Sequence, residues 1–438
     1  MDAPRVTRRQ FVAATSLGSL AAVAGQAVPA HAAVTQGASK LAIKGGTPIR
    51  STGFGGWPIW DPQHDEQRVL AVLRSGVWSR AKVVTEFEQK WAAMLGAKRC
   101  LATVNGTNAL VTALNALDIG AGDEVLVGPY TFIASVSTIM LAGALPIMVD
   151  TDPETFLVNP EKMEAKITPN TKAILPVHIY GLPANMDRIS AIAKKHNLLI
   201  VEDACQAWLA EYRGKKCGTI GNLGCFSFQN SKHLTCGEGG AVVGNDDAAM
   251  DRAFSYHNFG SGGPCLGSKF RTTEFQAAIL LAQMERLEEQ AQRRWENARY
   301  LTSRLQGIPG LTPHKLNDGV TRAAYHLYPM RLNPEEFGVA RSKFQAALQK
   351  EGIPCSGGYG QLNKAPFIEN TLSSRSFQRM YSKQQLDYCR EQIECPDNDK
   401  LCDEAVCLGQ RLLLGTKEDT DDIANAILKI YENRKELA

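Results

Sequence analysis

Paired cysteines are missing from this chain. Its eleven cysteines are scattered from Cys100 to Cys407, an odd number with no CxxC spacing. That excludes a zinc ribbon or finger and offers no framework for a disulfide-stapled fold. Cys205 and Cys225 sit in apolar runs and read as reduced core residues. An excess of one charge is missing too. Lys+Arg 48 stand against Asp+Glu 45, a net charge of +3 with no basic block or stripe, so a nucleic-acid partner is not expected. The weakly apolar stretch over 13–28 is broken by Gly18, Ser19, Gly25 and Gln26 and makes a poor membrane span. No internal repeat or low-complexity tract occurs.

What stands at the N-terminus is an address rather than an anchor. Thr7-Arg8-Arg9-Gln10-Phe11-Val12 has the form of a twin-arginine export signal, and Ala30-His31-Ala32 that of an A-x-A cleavage site. Residues 1–32 are therefore expected to be a signal peptide that sends the folded protein to the periplasm or cell exterior. A leader with two adjoining arginines, and a cytoplasmic protein, is the alternative. Unpaired thiols suit folding in the cytoplasm first.

The rest is ordinary globular sequence, 44% hydrophobic and 21% charged, long enough for one large core and a smaller satellite. β-Branched and aliphatic runs at 124–127, 145–149, 173–177 and 198–201 alternate with helical patterns. Between the last two, 185–196 puts Met186, Ile189, Ile192 and Ala193 on one helical face. Such alternation predicts an α/β fold with a mainly parallel sheet covered by helices. One long amphipathic helix is expected through Leu280, Met284, Leu287, Ala291, Ala298, Leu301 and Leu305, ended by Ile308-Pro309-Gly310. The large domain is thus placed at 40–307 and a smaller α+β domain at 308–438. The latter closes on a helix bearing Ile423, Ile427, Ile430 and Tyr431.

Three segments carry chemistry. Val104-Asn105-Gly106-Thr107-Asn108-Ala109-Leu110 runs into a helix whose first N–H groups suit an anion, with Gly106 allowing close approach; N-G-T is also a common turn and cap. Leu199-Ile200-Val201-Glu202-Asp203-Ala204-Cys205-Gln206 ends a buried strand on an acidic pair, where open α/β sheets bind ligands. A carboxylate there can pair with a protonated pyridine nitrogen, or cap a following helix. Gly224-Cys225-Phe226-Ser227-Phe228-Gln229-Asn230-Ser231-Lys232 presents a lysine at a strand end beside the glycine-rich Gly237-Glu238-Gly239-Gly240. Burial would favour its neutral, nucleophilic amine; a solvated loop lysine is the plainer reading.

In this order the strings resemble the DegT/StrS-type sugar aminotransferases, which have the aspartate-aminotransferase fold (fold type I of the pyridoxal-phosphate enzymes). The likeness runs from about Leu41 to the C-terminus, through Tyr130-Thr131-Phe132-Ile133-Ala134, His178-Ile179-Tyr180-Gly181, Arg271-Thr272-Thr273-Glu274-Phe275-Gln276 and Tyr325-His326-Leu327-Tyr328. It implies pyridoxal 5'-phosphate (PLP) as cofactor. Lys232 matches the lysine that binds it covalently and shuttles the proton, and Asp203 the partner of the pyridine nitrogen. Gln206 matches a residue near the ring hydroxyl, Phe132 an aromatic stacked on the ring (or else a core phenylalanine), and Gly106, Thr107 and Ser227 the phosphate contacts. One position departs from the pattern: Lys269 stands where the family usually has an Asn that reaches the partner subunit's phosphate. The likeness also implies a homodimer with shared sites, taking an amino group from glutamate or glutamine to a keto sugar or keto-cyclitol. Gly357-Gly358-Tyr359-Gly360-Gln361 and Trp57-Pro58 look closest to the cyclitol enzymes. Two alternatives stand beside this. In a sugar dehydratase of the same fold, histidine replaces the lysine; a non-catalytic sugar-binding relative would keep only the fold.

Overall fold

Seven short apolar runs become the central sheet of the computed structural model, which describes residues 40–263 and 265–437. The expected signal peptide lies outside the described residues. The strands are β1 (Arg99–Thr103), β2 (Glu124–Val127), β3 (Leu145–Met148), β4 (Thr171–Leu175), β5 (Leu199–Asp203), β6 (Leu223–Ser227) and β7 (Gly240–Gly244), in the order β1-β7-β6-β5-β4-β2-β3. β6, β5, β4, β2 and β3 run parallel, whereas β7 is antiparallel to both neighbours. β2, β3, β6 and β7 are buried along their whole length, as a parallel sheet covered on both faces requires. The sheet is the mainly parallel one expected, and the four runs read as strands all lie in it. β7 is bounded by glycines, which leaves it only the short apolar run Ala241-Val242-Val243. Gly240 is needed there, since a Cβ would sit 2.3 Å from the Asn105 carbonyl oxygen.

Helices α1 (Pro62–Ser75), α2 (Lys82–Leu95), α3 (Gly106–Ala116), α4 (Ile133–Leu141), α5 (Met186–His196) and α6 (Asp247–His257) accompany the sheet. The expected long helix is two: α7 (Glu274–Met284) and α8 (Leu287–Leu305). Every apolar position assigned to its stripe is buried, so the periodicity runs straight across the break. A salt bridge interrupts the helix there. Arg286 leaves helical geometry to donate to the buried Asp65 carboxylate and to the Ile59 carbonyl.

Beyond the Ile308-Pro309-Gly310 break, β8 (Leu311–Pro313), β9 (Leu327–Leu332) and β10 (Ala405–Gly409) form a three-stranded antiparallel sheet. It is accompanied by α9 (Arg341–Lys350) and α10 (Lys417–Glu432), the latter burying Ile423, Ile427 and Ile430. One core cluster includes residues of both sheets, from Leu126 and Ile174 to Met330 and Val406. The segment before α1 is tied to this region by buried Glu351, which accepts from the Ala42 and Ile49 N–H groups and from Lys429 Nζ.

Candidate active site

At the C-terminal ends of β5 and β6 lies a crevice of about 500 Å³, the place where open α/β sheets bind ligands. One wall is the N-terminus of α3. The Asn105 side chain caps it by accepting the Asn108 N–H at 2.8 Å. The Gly106 and Thr107 N–H groups make no hydrogen bond among the described residues. Gly106 has a steric reason: a Cβ would lie 2.7 Å from Ser227 Cβ and 3.0 Å from Cys205 Sγ. Only glycine lets α3 press this close to the ends of β5 and β6. Ser227, the last residue of β6, and Thr107 also line the crevice.

The acidic pair divides between the two faces of β5, as strand alternation requires. Glu202 is fully buried, accepting from His178 Nε2 at 2.9 Å and from the N–H groups of Gly218, Ile220 and Gly221. Asp203 lines the crevice. Its Oδ2 accepts from Ser135 Oγ at 2.7 Å and its Oδ1 from the Cys205 N–H at 3.1 Å. No helix follows for it to cap; turns occupy the next residues. Cys205, expected in the core, is a wall residue of this crevice, while Cys225 is buried.

Lys232 sits five residues past the end of β6, in a turn closed by its N–H to the Gln229 carbonyl. It is half-buried rather than solvated, and its Nζ lies 5.9 Å from the Trp208 ring centre. Burial lowers the pKa of its ammonium, with the charge of Asp203 pulling the other way. Buried Gln206 is oriented from both sides: its Oε1 accepts the Tyr180 N–H at 2.8 Å and its Nε2 donates to Tyr359 Oη at 2.7 Å. Tyr359 stacks on Tyr180 at 5.5 Å between ring centres. Phe132, just ahead of α4, is 55% exposed. It is a wall of the crevice and not a core residue.

The crevice therefore gathers Gly106, Thr107, Phe132, Asp203, Gln206, Ser227 and Lys232. Lys269 is not among them; it is exposed on the loop between α6 and α7, paired through its backbone with Asn258. Over residues 61–427 the sequence matches the model of the DegT/DnrJ/EryC1/StrS aminotransferase family. The chain belongs to that family. It is 34% identical over 430 residues to the L-glutamine:2-deoxy-scyllo-inosose aminotransferase of Streptoalloteichus tenebrarius, covering 91% of this chain and 99% of the relative. It is 35% identical over 435 residues to the enzyme of that name from Streptomyces fradiae, with the same coverage. Among solved structures, 3-amino-5-hydroxybenzoic acid synthase superposes with a TM-score of 0.78 at 30% identity, covering 88% of this chain and all of that one. The aminotransferase from Psychrobacter cryohalolentis gives 0.74 at 29%, covering 87% and 99%.

As an aminotransferase, the chain has a crevice that fits the cofactor its resemblance implies. The α3 N–H groups and Ser227 suit a phosphate, Phe132 a flat ring, Asp203 a pyridinium N–H and Lys232 an aldehyde carbon. Reading motifs alone missed Ser135, which orders Asp203. It also gave no role to Tyr359 and His326, although both lie in motifs noted for their resemblance. Their contacts join residues far apart in the chain, 153 positions in the case of Gln206 and Tyr359.

Proposed function

We propose that the protein is a PLP-dependent aminotransferase that takes its amino group from glutamine and delivers it to a keto-cyclitol. The observation that carries this reading is the meeting of three things in one crevice: the Lys232 amine, the Ser135-held carboxylate of Asp203 and the unpaired N–H groups of α3. The names of the curated relatives support the donor and the acceptor class. So does the charge of the crevice: Lys232 is the only Lys or Arg among its lining residues, against Asp203 and Glu238. That suits a neutral polyol ring better than a sugar carrying a diphosphate.

PLP, when bound, supplies an electron sink that acidifies the C–H bond beside the transferred nitrogen. Asp203 would sustain that sink from the pyridine side, aligned by the hydrogen bond from Ser135. Lys232 would hold the cofactor and, once displaced by substrate amine, carry the proton away from one carbon and return it to another. A depressed pKa serves this, since the amine must accept a proton near neutral pH. Gln206, oriented by Tyr180 and Tyr359, would lie beside the ring hydroxyl. A dehydratase is disfavoured because His233 is buried and absent from the crevice wall. A binding-only role leaves the intact Lys232, Asp203 and Ser227 set without a purpose.

The deciding experiment presents a panel of keto-cyclitols and keto sugars to enzyme whose cofactor has first been aminated with glutamine. Keto-cyclitols are expected to restore the original absorption band. Restoration by nucleotide-linked keto hexoses alone would reassign the acceptor. We infer in addition a homodimer with shared sites, supported by the loop after α6, on which Phe259, Leu266 and Lys269 are exposed, and twin-arginine export, supported by Arg8-Arg9 and Ala30-His31-Ala32. For the latter, Arg8→Lys with Arg9→Lys should retain the protein inside the cell; equal export of variant and parent would refute the signal.

A further inference from the structure

Among the residues lining the crevice, only His326 and Tyr359 come from beyond the Ile308-Pro309-Gly310 break. Every group that suits the cofactor comes from before it, which leaves Tyr359 facing whatever else the crevice takes. Its loop holds it there. Ser356 exchanges both backbone hydrogen bonds with Cys407 of β10, each 2.9 Å. Gly358 follows at φ +75°, where a Cβ would lie 2.6 Å from Tyr130 Oη and 2.8 Å from Tyr180 Oη. Only glycine lets the loop close on that buried pair. The Tyr359 ring then stacks on Tyr180, 14° from parallel, and meets Tyr130 edge-on.

The direction of one hydrogen bond leaves this phenol with a proton to give. Tyr180 holds a left-handed backbone conformation, φ 60° and ψ 7°, which a bulky residue adopts only at a cost. From it the Tyr180 N–H reaches Gln206 Oε1 at 2.8 Å. A backbone N–H needs an acceptor, so this contact fixes the Gln206 amide with its nitrogen toward Tyr359. An amide nitrogen only donates. The Tyr359 oxygen therefore accepts, at 2.7 Å, and its own proton stays uncommitted. No other side-chain partner of Tyr359 Oη occurs among the described residues. Burial pushes the Tyr359 pKa up to about 12, so the proton remains on oxygen at neutral pH. Once a ligand has displaced water from the crevice, a donor left without an acceptor costs stability. The ligand must supply the oxygen.

We propose that Tyr359 determines which ketone is accepted, its phenol donating to one ring hydroxyl oxygen of the keto-cyclitol. This rests on the keto-cyclitol aminotransferase reading and names the residue by which that substrate is chosen. A neutral polyol offers hydroxyl oxygens at fixed places around a rigid ring, and a neutral donor fixed by its stacking matches one of them. A site built around a substrate hydroxyl rejects the analogue that lacks it, because the donor is then left unpaired.

The test uses the full chain loaded with PLP and aminated with glutamine. Scyllo-inosose and a set of analogues, each lacking one ring hydroxyl, are compared by the rate at which they restore the original absorption band. The parent is expected to disfavour one member of the set by roughly 10- to 100-fold, the effect of one donor left unpaired. Tyr359→Phe, which keeps the ring and its stacking, should bring that member within a few-fold of scyllo-inosose. Gln206→Glu should do the same with the phenol intact, because the new carboxylate accepts the Tyr359 proton and engages it. Each preference is a ratio on one enzyme, so a loss of rate common to all ketones cancels. Circular dichroism and PLP loading report whether the variants fold, and if one fails to load the other decides. A loaded variant of either kind that keeps the preference overturns the proposal. A displaced resting band in such a Tyr359→Phe enzyme would assign the phenol to the cofactor's ring hydroxyl instead. A parent that treats every analogue alike overturns it too. A band restored by no keto-cyclitol would remove the keto-cyclitol reading itself, and this role of Tyr359 with it.

Discussion

Lys232 combines two demands that pull against each other: it must be desolvated enough to lose its proton, yet lie within reach of a charged carboxylate. Half-burial with Asp203 nearby meets both, and removal of the amine leaves nothing to replace it. Lys232→Ala is expected to lose turnover altogether while retaining PLP without a covalent bond. Absorption spectroscopy with and without glutamine checks this, and near-normal rates would end the assignment. His233 cannot stand in, being buried away from the crevice wall. Gly106 gives a second test. A methyl group there must fit where Ser227 Cβ lies 2.7 Å, Cys205 Sγ 3.0 Å and Ser227 Cα 3.2 Å away, and atoms fixed at the end of β6 yield poorly. Gly106→Ala should destabilise the fold by about 1–3 kcal/mol and weaken PLP binding as α3 is pushed off. Melting curves with and without PLP separate the two effects; an unchanged affinity would mean that the α3 N-terminus is not the phosphate cup. At this scale the site's chemistry was legible wherever it lay within one short string, as in the segment from Glu202 to Gln206. The Ser135–Asp203 and Gln206–Tyr359 hydrogen bonds were not, because they span 68 and 153 residues and nothing local marks their partners.

The elements tell a similar story, with the opposite failing. Strands β2 to β5 were legible as short aliphatic runs, because a sheet covered on both faces selects for them. The division of α7 from α8 was invisible, since burial continues across it at Met284 and Leu287. Hydrophobic period reports which face is buried, and says nothing of a two-residue change in axis made by one ion pair. That pair has a measurable consequence. Burial alone would raise the Asp65 carboxyl, but Arg286, the Asp61 N–H and His64 overcome it and hold its pKa at about 2, against 3.8 ordinarily. A carboxyl whose folded pKa is depressed contributes stability that is present in full above its unfolded value. That contribution is lost as pH falls from about 4 through about 2. It should amount to on the order of 1 kcal/mol, allowing for solvent around Arg286. Asp65→Asn should remove this part of the acid dependence and lower the melting temperature at neutral pH, where Arg286 loses its counter-charge. An Asn variant with the parent's acid profile would show that the pair does not set it.

At the scale of the whole molecule, the described chain carries an apolar surface that one subunit does not bury. Leu73, Val77 and Trp78 are each about half exposed at the end of α1 and just beyond it, Phe259 is 59% exposed and Leu266 92% exposed. Exposed apolar side chains of this size are the kind that an interface would cover. The loop that carries Phe259 and Leu266 also carries Lys269, whose side chain serves nothing in its own crevice. The homodimer inferred above would place both facts in one interface, with the loop reaching the partner's phosphate. Sedimentation is expected to give roughly twice the mass of one chain. Lys269→Ala should weaken PLP retention by roughly 1–3 kcal/mol, the cost of a charge-assisted hydrogen bond. Lys269→Asn, the residue usual in the family, should recover most of that loss, because an amide can donate to the same oxygen without the charge. Raised salt should narrow the gap in PLP retention between the parent and Lys269→Asn, since screening weakens only the charged contact. A fully active monomer would end the shared-site reading. A dimer whose Lys269→Ala variant holds PLP as tightly as the parent would remove the lysine's role alone.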